Sequence, residues 1–261
     1  MELESASGTC HFLQNHDRPG ESVRDDEEVE RRSLVDLREI LGQSRKLGIG
    51  LLLIGGYAVA AYTRGYRFTK DIDLIADKAA LGRLRGLLKR LGYSIRDTEF
   101  GIAGSKRYDH RFIDLHISVG KVYDISTGNS FPVESTLFKD AKRLEVKGFY
   151  SKGSSLKAPV IDIETLLVLK FIPVGRDKDA VDLISLILDT GEQVDLESIA
   201  EKVKTANLGS HLLERVRDFA KRLRMGELDK VWVGMTASRL SHVQNREISR
   251  FLGRLADLLR M

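Results

Sequence analysis

Apolar residues recur along this chain in two rhythms. One repeats every second residue and the other every third or fourth, and the change between them divides the chain in two. The run LLLIGG at 51–56 is short, continuous and apolar and closes on two glycines, so it reads as a buried strand entering a tight turn. YAVAAYTRG continues as a helix, and DIDLIA at 71–76 reads as a second strand. KAALGRLRGLLKRLGY sets Leu81, Leu84, Leu87, Leu88 and Leu91 on one helical stripe. YSIRD and RFIDLHISVG read as further strands, and KRLEVKGFYSKG as a hairpin with Gly148 near its turn. From residue 162 the helical period takes over. Asp162 is placed to cap IETLLVLKF, which Pro173 and Gly175 end, and RDKDAVDLISLILDTG resumes it. Asp195 is placed to cap LESIAEKVKTA, and SHLLERVRDFAKRLR follows. The last segment puts Ile248, Phe251, Leu252, Leu255 and Leu259 on one stripe, suited to intramolecular packing or to a dimer surface. The pattern predicts an α+β fold, with a core over 33–158 and a helical domain over 159–261.

Upstream of these elements the rhythm fails. Residues 1–32 carry nine Asp and Glu, four Arg and few apolar side chains, which reads as a disordered acidic tail. Ser33 then reads as the N-cap of LVDLREILGQSRKLG, with Leu34, Leu37 and Leu41 inward. The tail is net −5 in a chain that is +4, so residues 33–261 are +9. That excess suits a phosphate-rich partner, or simply solubility. Cys10 is the single cysteine, which excludes an internal disulfide or a cysteine metal cluster and points to a reducing compartment. No apolar run approaches the roughly eighteen residues of a membrane span, and the start lacks a secretory pattern, so a cytoplasmic protein is expected. Neither the oligomeric state nor the role of residues 226–261 follows from the pattern.

The stretch FTKDIDLIA raises a question of charge. Asp71 and Asp73 alternate with apolar residues and so project from one strand face, where they repel each other. A divalent cation between them would relieve the repulsion, although a bare D-x-D also marks solvated strand ends. In FIDLH, Asp114 and His116 again share a strand face, and a third carboxylate would complete an all-oxygen magnesium site. His116 itself reads as an ordinary strand histidine, because oxygen ligands suit magnesium better. The same stretch could equally be an exposed edge strand. Gly55 and Gly56 open a helix, whose free N–H groups and positive end suit phosphate, though the pair can also be a plain turn.

Taken together, a strand, GG, a helix, fourteen intervening residues, D-I-D-L and a later strand aspartate resemble the nucleotidyltransferase superfamily of the DNA polymerase β type. GGYAVAAYTRGYRFTKDIDLIAD is similar to its AbiEii toxin-like branch, and Val168-Leu169-Lys170 followed by RDKDAVDL extends the likeness across roughly 35–190. The resemblance implies a nucleotidyltransferase-like mixed sheet and transfer of an NMP from an NTP to an acceptor hydroxyl. It implies two magnesium ions bridged by Asp71 and Asp73, with Asp114 on one ion and helping to deprotonate the acceptor. It further implies phosphate binding by Gly55 and Gly56, with Lys170 gripping the triphosphate. Asp179 or Asp182 would orient Lys170 or the base, and Arg67, beside Thr69 and Lys70, would contact phosphate or acceptor. Bland readings stand beside these: a solvated lysine, a salt-bridged helix face and charge balance in a loop. Tyr57 and Tyr66 suit core packing better than base stacking. The branch includes toxins that act on tRNA 3′ ends, so a tRNA acceptor and an antitoxin protein are candidate partners. Protein and small-molecule acceptors, a non-enzymatic module of the same fold and a metal-dependent nuclease remain open.

Overall fold

The computed structural model describes residues 23–151 and 153–260. Cys10 and the rest of 1–22 lie outside the described residues. Helix α1 (Val23–Lys46) leads into strand β1 (Leu51–Ile54), helix α2 (Gly55–Tyr62) and strand β2 (Ile72–Ala76). After a 3-10 turn come α3 (Leu81–Arg90), β3 (Ser94–Thr98), β4 (Gly101–Tyr108) and β5 (Arg111–Val119). A small hairpin, β6 (Lys121–Tyr123) and β7 (Ser130–Pro132), and the short α4 (Ser135–Lys139) precede β8 (Lys142–Lys147) and β9 (Ser155–Val160). Helices then run without interruption: α5 (Ile163–Phe171), α6 (Asp177–Thr190), α7 (Leu196–Thr205), α8 (Gly209–Arg224), α9 (Glu227–Thr236) and α10 (His242–Leu258). The architecture is a mixed α+β sheet followed by helices.

Seven strands form one sheet in the order β3-β4-β5-β2-β1-β9-β8. β1 and β2, the most apolar strands, take its centre, where Leu53, Ile72, Leu74 and Ile75 lose all solvent contact. Full burial of each such side chain contributes roughly 1.5–3 kcal/mol. β2 is buried on both faces except at Asp73. β5 alternates, with Ile113, Leu115, Ile117 and Val119 inward and Asp114 and His116 on the other face. β4 escapes the alternation test because Gly101, Ala103, Gly104 and Ser105 give it no apolar contrast. The expected hairpin is β8 and β9, with Gly148 opening its connection. Asp162 and Asp195 cap α5 and α7 through their side chains, as the pattern predicts. The α10 stripe packs inward, with Ile248, Phe251, Leu252 and Leu255 buried.

The first helix departs from expectation. α1 begins at Val23, so residues 23–32 are helical, and Ser33 is a buried mid-helix residue and not a cap. Its acids have partners that composition does not show. The Glu30 carboxylate, 1% exposed, accepts the backbone N–H groups of Phe149, Tyr150 and Ser151 and the Ser151 hydroxyl. Asp36 accepts the hydroxyls of Tyr93 and Tyr108 and pairs with Lys106 at 2.8 Å. Buried carboxylates so satisfied are tolerated where isolated ones are not.

Candidate active site

Strand register brings the acids together. β2 and β5 run parallel with Asp73 opposite His116 and Ile72 opposite Leu115. Partners across a ladder share a face, so Asp73 and His116 stand side by side. Extending that register upstream sets Asp71 beside Asp114. His116 Nδ1 lies 3.3 Å from Asp73 Oδ1, so the histidine joins the acidic site and is not an isolated strand residue. Its hydrogen bond with Asp73 holds the imidazole above its ordinary pKa against the effect of burial. Asp71 is pushed the other way from a normal paired carboxylate. Burial and the neighbouring Asp73 raise its pKa, Lys70 opposes them, and Asp114 adds to the rise. Asp71 Oδ1 is buried and has no hydrogen-bond partner. An orphaned carboxylate oxygen costs stability and marks a place where a ligand completes the structure.

The glycines make room for this arrangement. Ile54 pairs with Asp73 across β1 and β2, so the chain leaves β1 directly beside the acid. Gly55 turns there with φ +68, and a β-carbon on it would run into the Asp73 carboxylate. A β-carbon on Gly56 would come within 2.8 Å of Thr69 Oγ1 and 3.2 Å of Arg67 Nη2. No side chain caps the first turn of α2, whose N–H groups stay available to an anion.

The helical half supplies the cations. Lys170 Nζ, near the end of α5, sits 2.8 Å from Asp179 and 2.7 Å from Asp182, both on α6. Burial alone would lower the lysine's pKa, but the two carboxylates outweigh it and hold the ammonium charged. Asp182 also takes a two-point hydrogen bond from Arg67, each contact 2.7 Å. Burial would raise Asp182, yet Lys170 and Arg67 hold it below the usual carboxylate range. Arg67 therefore ties the loop before Asp71 to α6. Asp179 takes a further contact from Arg176 at 3.0 Å. Gly56, Asp71 and Asp73 face Lys170, Arg176 and Lys178 across one cleft. Tyr57 is buried, and Tyr66 packs on Trp232 with its hydroxyl on Asp189.

The donor set fits a divalent cation in part. Two adjacent carboxylates, one with an unpartnered oxygen, are hard oxygen donors of the kind magnesium takes. Among the described residues, no three His, Cys, Asp or Glu side chains converge closely enough to hold an ion unaided. Substrate oxygens and water would have to complete the shell. Sequence reading misses Glu30 and Ser33. Ser33 donates a 2.6 Å hydrogen bond to the Lys70 carbonyl, next to Asp71. Val29 stands eight and eleven residues before Leu37 and Ile40, a helical interval that could have carried the stripe upstream.

A family model for the AbiEii nucleotidyl transferase toxin of type IV toxin–antitoxin systems matches residues 40–254. Among solved structures the chain is similar to ANT(2″)-Ia in complex with adenylyl-2″-tobramycin. Identity there is 16%, with 70% of this chain and 98% of that one covered at a TM-score of 0.46. It is also similar to the lincomycin-bound lincosamide antibiotic adenylyltransferase LnuA, at 18% identity, 58% and 94% coverage and a TM-score of 0.40. No curated protein matches the sequence.

Proposed function

The chain belongs to the AbiEii nucleotidyltransferase toxin family, and from that membership we propose that it moves an NMP from an NTP to the 3′ hydroxyl of an RNA, a tRNA being the first candidate. Asp71 carries this reading, as a half-buried carboxylate whose buried oxygen is orphaned, beside Asp73 and facing a cleft walled by cations.

Asp71 and Asp73 would hold magnesium, with Asp114 alongside; two ions would be expected. Bound there, magnesium neutralises phosphate charge and favours in-line attack at the α-phosphorus. The N–H groups at the start of α2, beside Gly55 and Gly56, would take phosphate oxygens. Lys170 would add positive charge to the same wall, fixed in place by Asp179 and Asp182. Arg67, bound to Asp182, would act by holding the loop that carries Thr69, Lys70 and Asp71. Asp114, on the open face, would accept the proton of the incoming hydroxyl. The +9 charge of residues 33–261 favours RNA over a small cationic acceptor. The toxin family suggests an antitoxin protein as partner and action in the cytoplasm. Among the described residues no helix is long and apolar enough to cross a membrane.

The test is incubation with magnesium, each α-labelled NTP and host tRNA, with Asp71→Ala/Asp73→Ala as control. A labelled tRNA band lost in the control supports RNA transfer, and label on protein moves the acceptor to polypeptide. No label, and no magnesium-dependent thermal shift with any NTP, would sink the reading.

A further inference from the structure

Beside the cleft lies a second concavity of about 560 Å³, lined by Arg64 and Gly65 on one side and by Lys147, Gly148, Phe149 and Tyr150 on the other. That volume falls in the range of small-molecule sites. It shares a wall with the cleft. Phe68, which lines the cleft, packs at a tilt against Tyr150 with ring centroids 5.6 Å apart. Phe149 meets Tyr150 edge-on at 4.8 Å, so two aromatic rings line the groove together with two cations.

The aromatic turn is built to be rigid. Glu30 takes three successive N–H groups of this turn, and its carboxylate is buried to do so. Gly148 leaves it room, since a β-carbon there would come within 2.6 Å of Glu30 Oε2. The two cations beside it are held differently. Lys147 is 63% exposed and pairs with the exposed Glu145, whereas Arg64, 77% exposed, is fixed through its backbone N–H, Nε and Nη2 on the buried Asp189 side chain. The exposed Lys147–Glu145 pair is weak and yields to a competing phosphate, while Arg64 presents its exposed guanidinium from a fixed position. An anchored aromatic turn flanked by exposed cations is the chemistry that takes an unpaired nucleotide. The NTP phosphates have their own cations in the cleft, so this second set answers to another phosphate chain.

We propose that the groove between the 64–65 and 147–150 turns is the acceptor-strand subsite, where an unpaired RNA base stacks on the face of Phe149, buttressed edge-on by Tyr150, and flanking phosphates meet Arg64 and Lys147. The proposal rests on the RNA-acceptor reading above. Glu30, upstream of the family-matched residues, pre-organises the platform.

The test is fluorescence anisotropy of a labelled single-stranded RNA of about twelve nucleotides, without NTP, over a salt series. Arg64→Ala/Lys147→Ala is expected to weaken binding roughly tenfold and to lower the salt slope by about one to two. Phe149→Ala is expected to weaken it roughly tenfold with the slope unchanged. Arg64→Lys should keep most of the affinity, and the thermal shift with magnesium and NTP should survive in every variant. Unchanged RNA affinity in both the double variant and Phe149→Ala overturns the subsite. So does an Arg64→Lys as weak as Arg64→Ala/Lys147→Ala, which would make the residue's part structural. If tRNA is labelled yet these variants bind normally, only the groove falls. If the wild-type chain neither binds nor labels RNA while NTP still binds, the RNA reading falls with it.

Discussion

Lys170 Nζ and Asp182 Oδ2 lie 2.7 Å apart, with side chains only 10% and 2% exposed, at the seam between the sheet and the helical half. Asp182 also carries Arg67, so one carboxylate holds two cations. Removing its charge leaves Arg67 without a carboxylate and Lys170 with Asp179 alone. Asp182→Asn is expected to destabilise the fold by about 3–5 kcal/mol in urea unfolding and to abolish transfer. A variant with wild-type stability would show that the network is not structural.

The same pair sets a pH window. Asp182 is lowered in the folded state, so its stabilisation is present above its unfolded pKa of about 3.9 and is lost as pH falls through the lower folded value. Lys170 is raised, so its contribution is complete below about 10.4 and is lost as pH rises through the higher folded value. Stability from this network should be level between those limits. Thermal unfolding across pH checks it, and Asp182→Asn should remove its share of the acid-side decline.

Asp71 behaves oppositely. Its raised pKa means that ionisation is disfavoured by the fold, and the penalty is present wherever pH exceeds that raised value. Asp71→Asn is therefore expected to raise the melting temperature of the ligand-free protein by a few degrees while eliminating transfer and the magnesium-dependent shift with NTP. A lower melting temperature would mean that the site is not held under repulsion.

Gly55 admits no side chain. Alanine would adopt an unfavourable positive φ, at roughly 1 kcal/mol or more, and would press on Asp73. Gly55→Ala is expected to cut transfer by at least about a hundredfold. Circular dichroism should still show a folded chain. Full activity would break the proposed fit between the α2 turn and Asp73.

Glu30 tests the first helix. Glu30→Ala leaves three buried N–H groups without their acceptor, and a loss of about 2–4 kcal/mol is expected in urea unfolding. A loss below about 0.5 kcal/mol would leave residues 23–32 as an ornament.

Local chemistry made much of this protein legible from its sequence. The run 51–54, the caps Asp162 and Asp195 and the leucine stripe of α3 are short-range signals, because period and capping depend on neighbours in the chain. The pairing of Asp71 with Asp73 and the need for Gly55 are equally local. What only the tertiary structure decided are the partnerships across sequence distance. The β2–β5 register sets His116 against Asp73. Arg67 turns to Asp182, 115 residues away, and Glu30 to a turn 119 residues away. A charge in the sequence has no direction until the fold gives it a neighbour. Acids 23–32 therefore resembled a solvated tail, and burial made one of them the anchor of a turn beside the cleft.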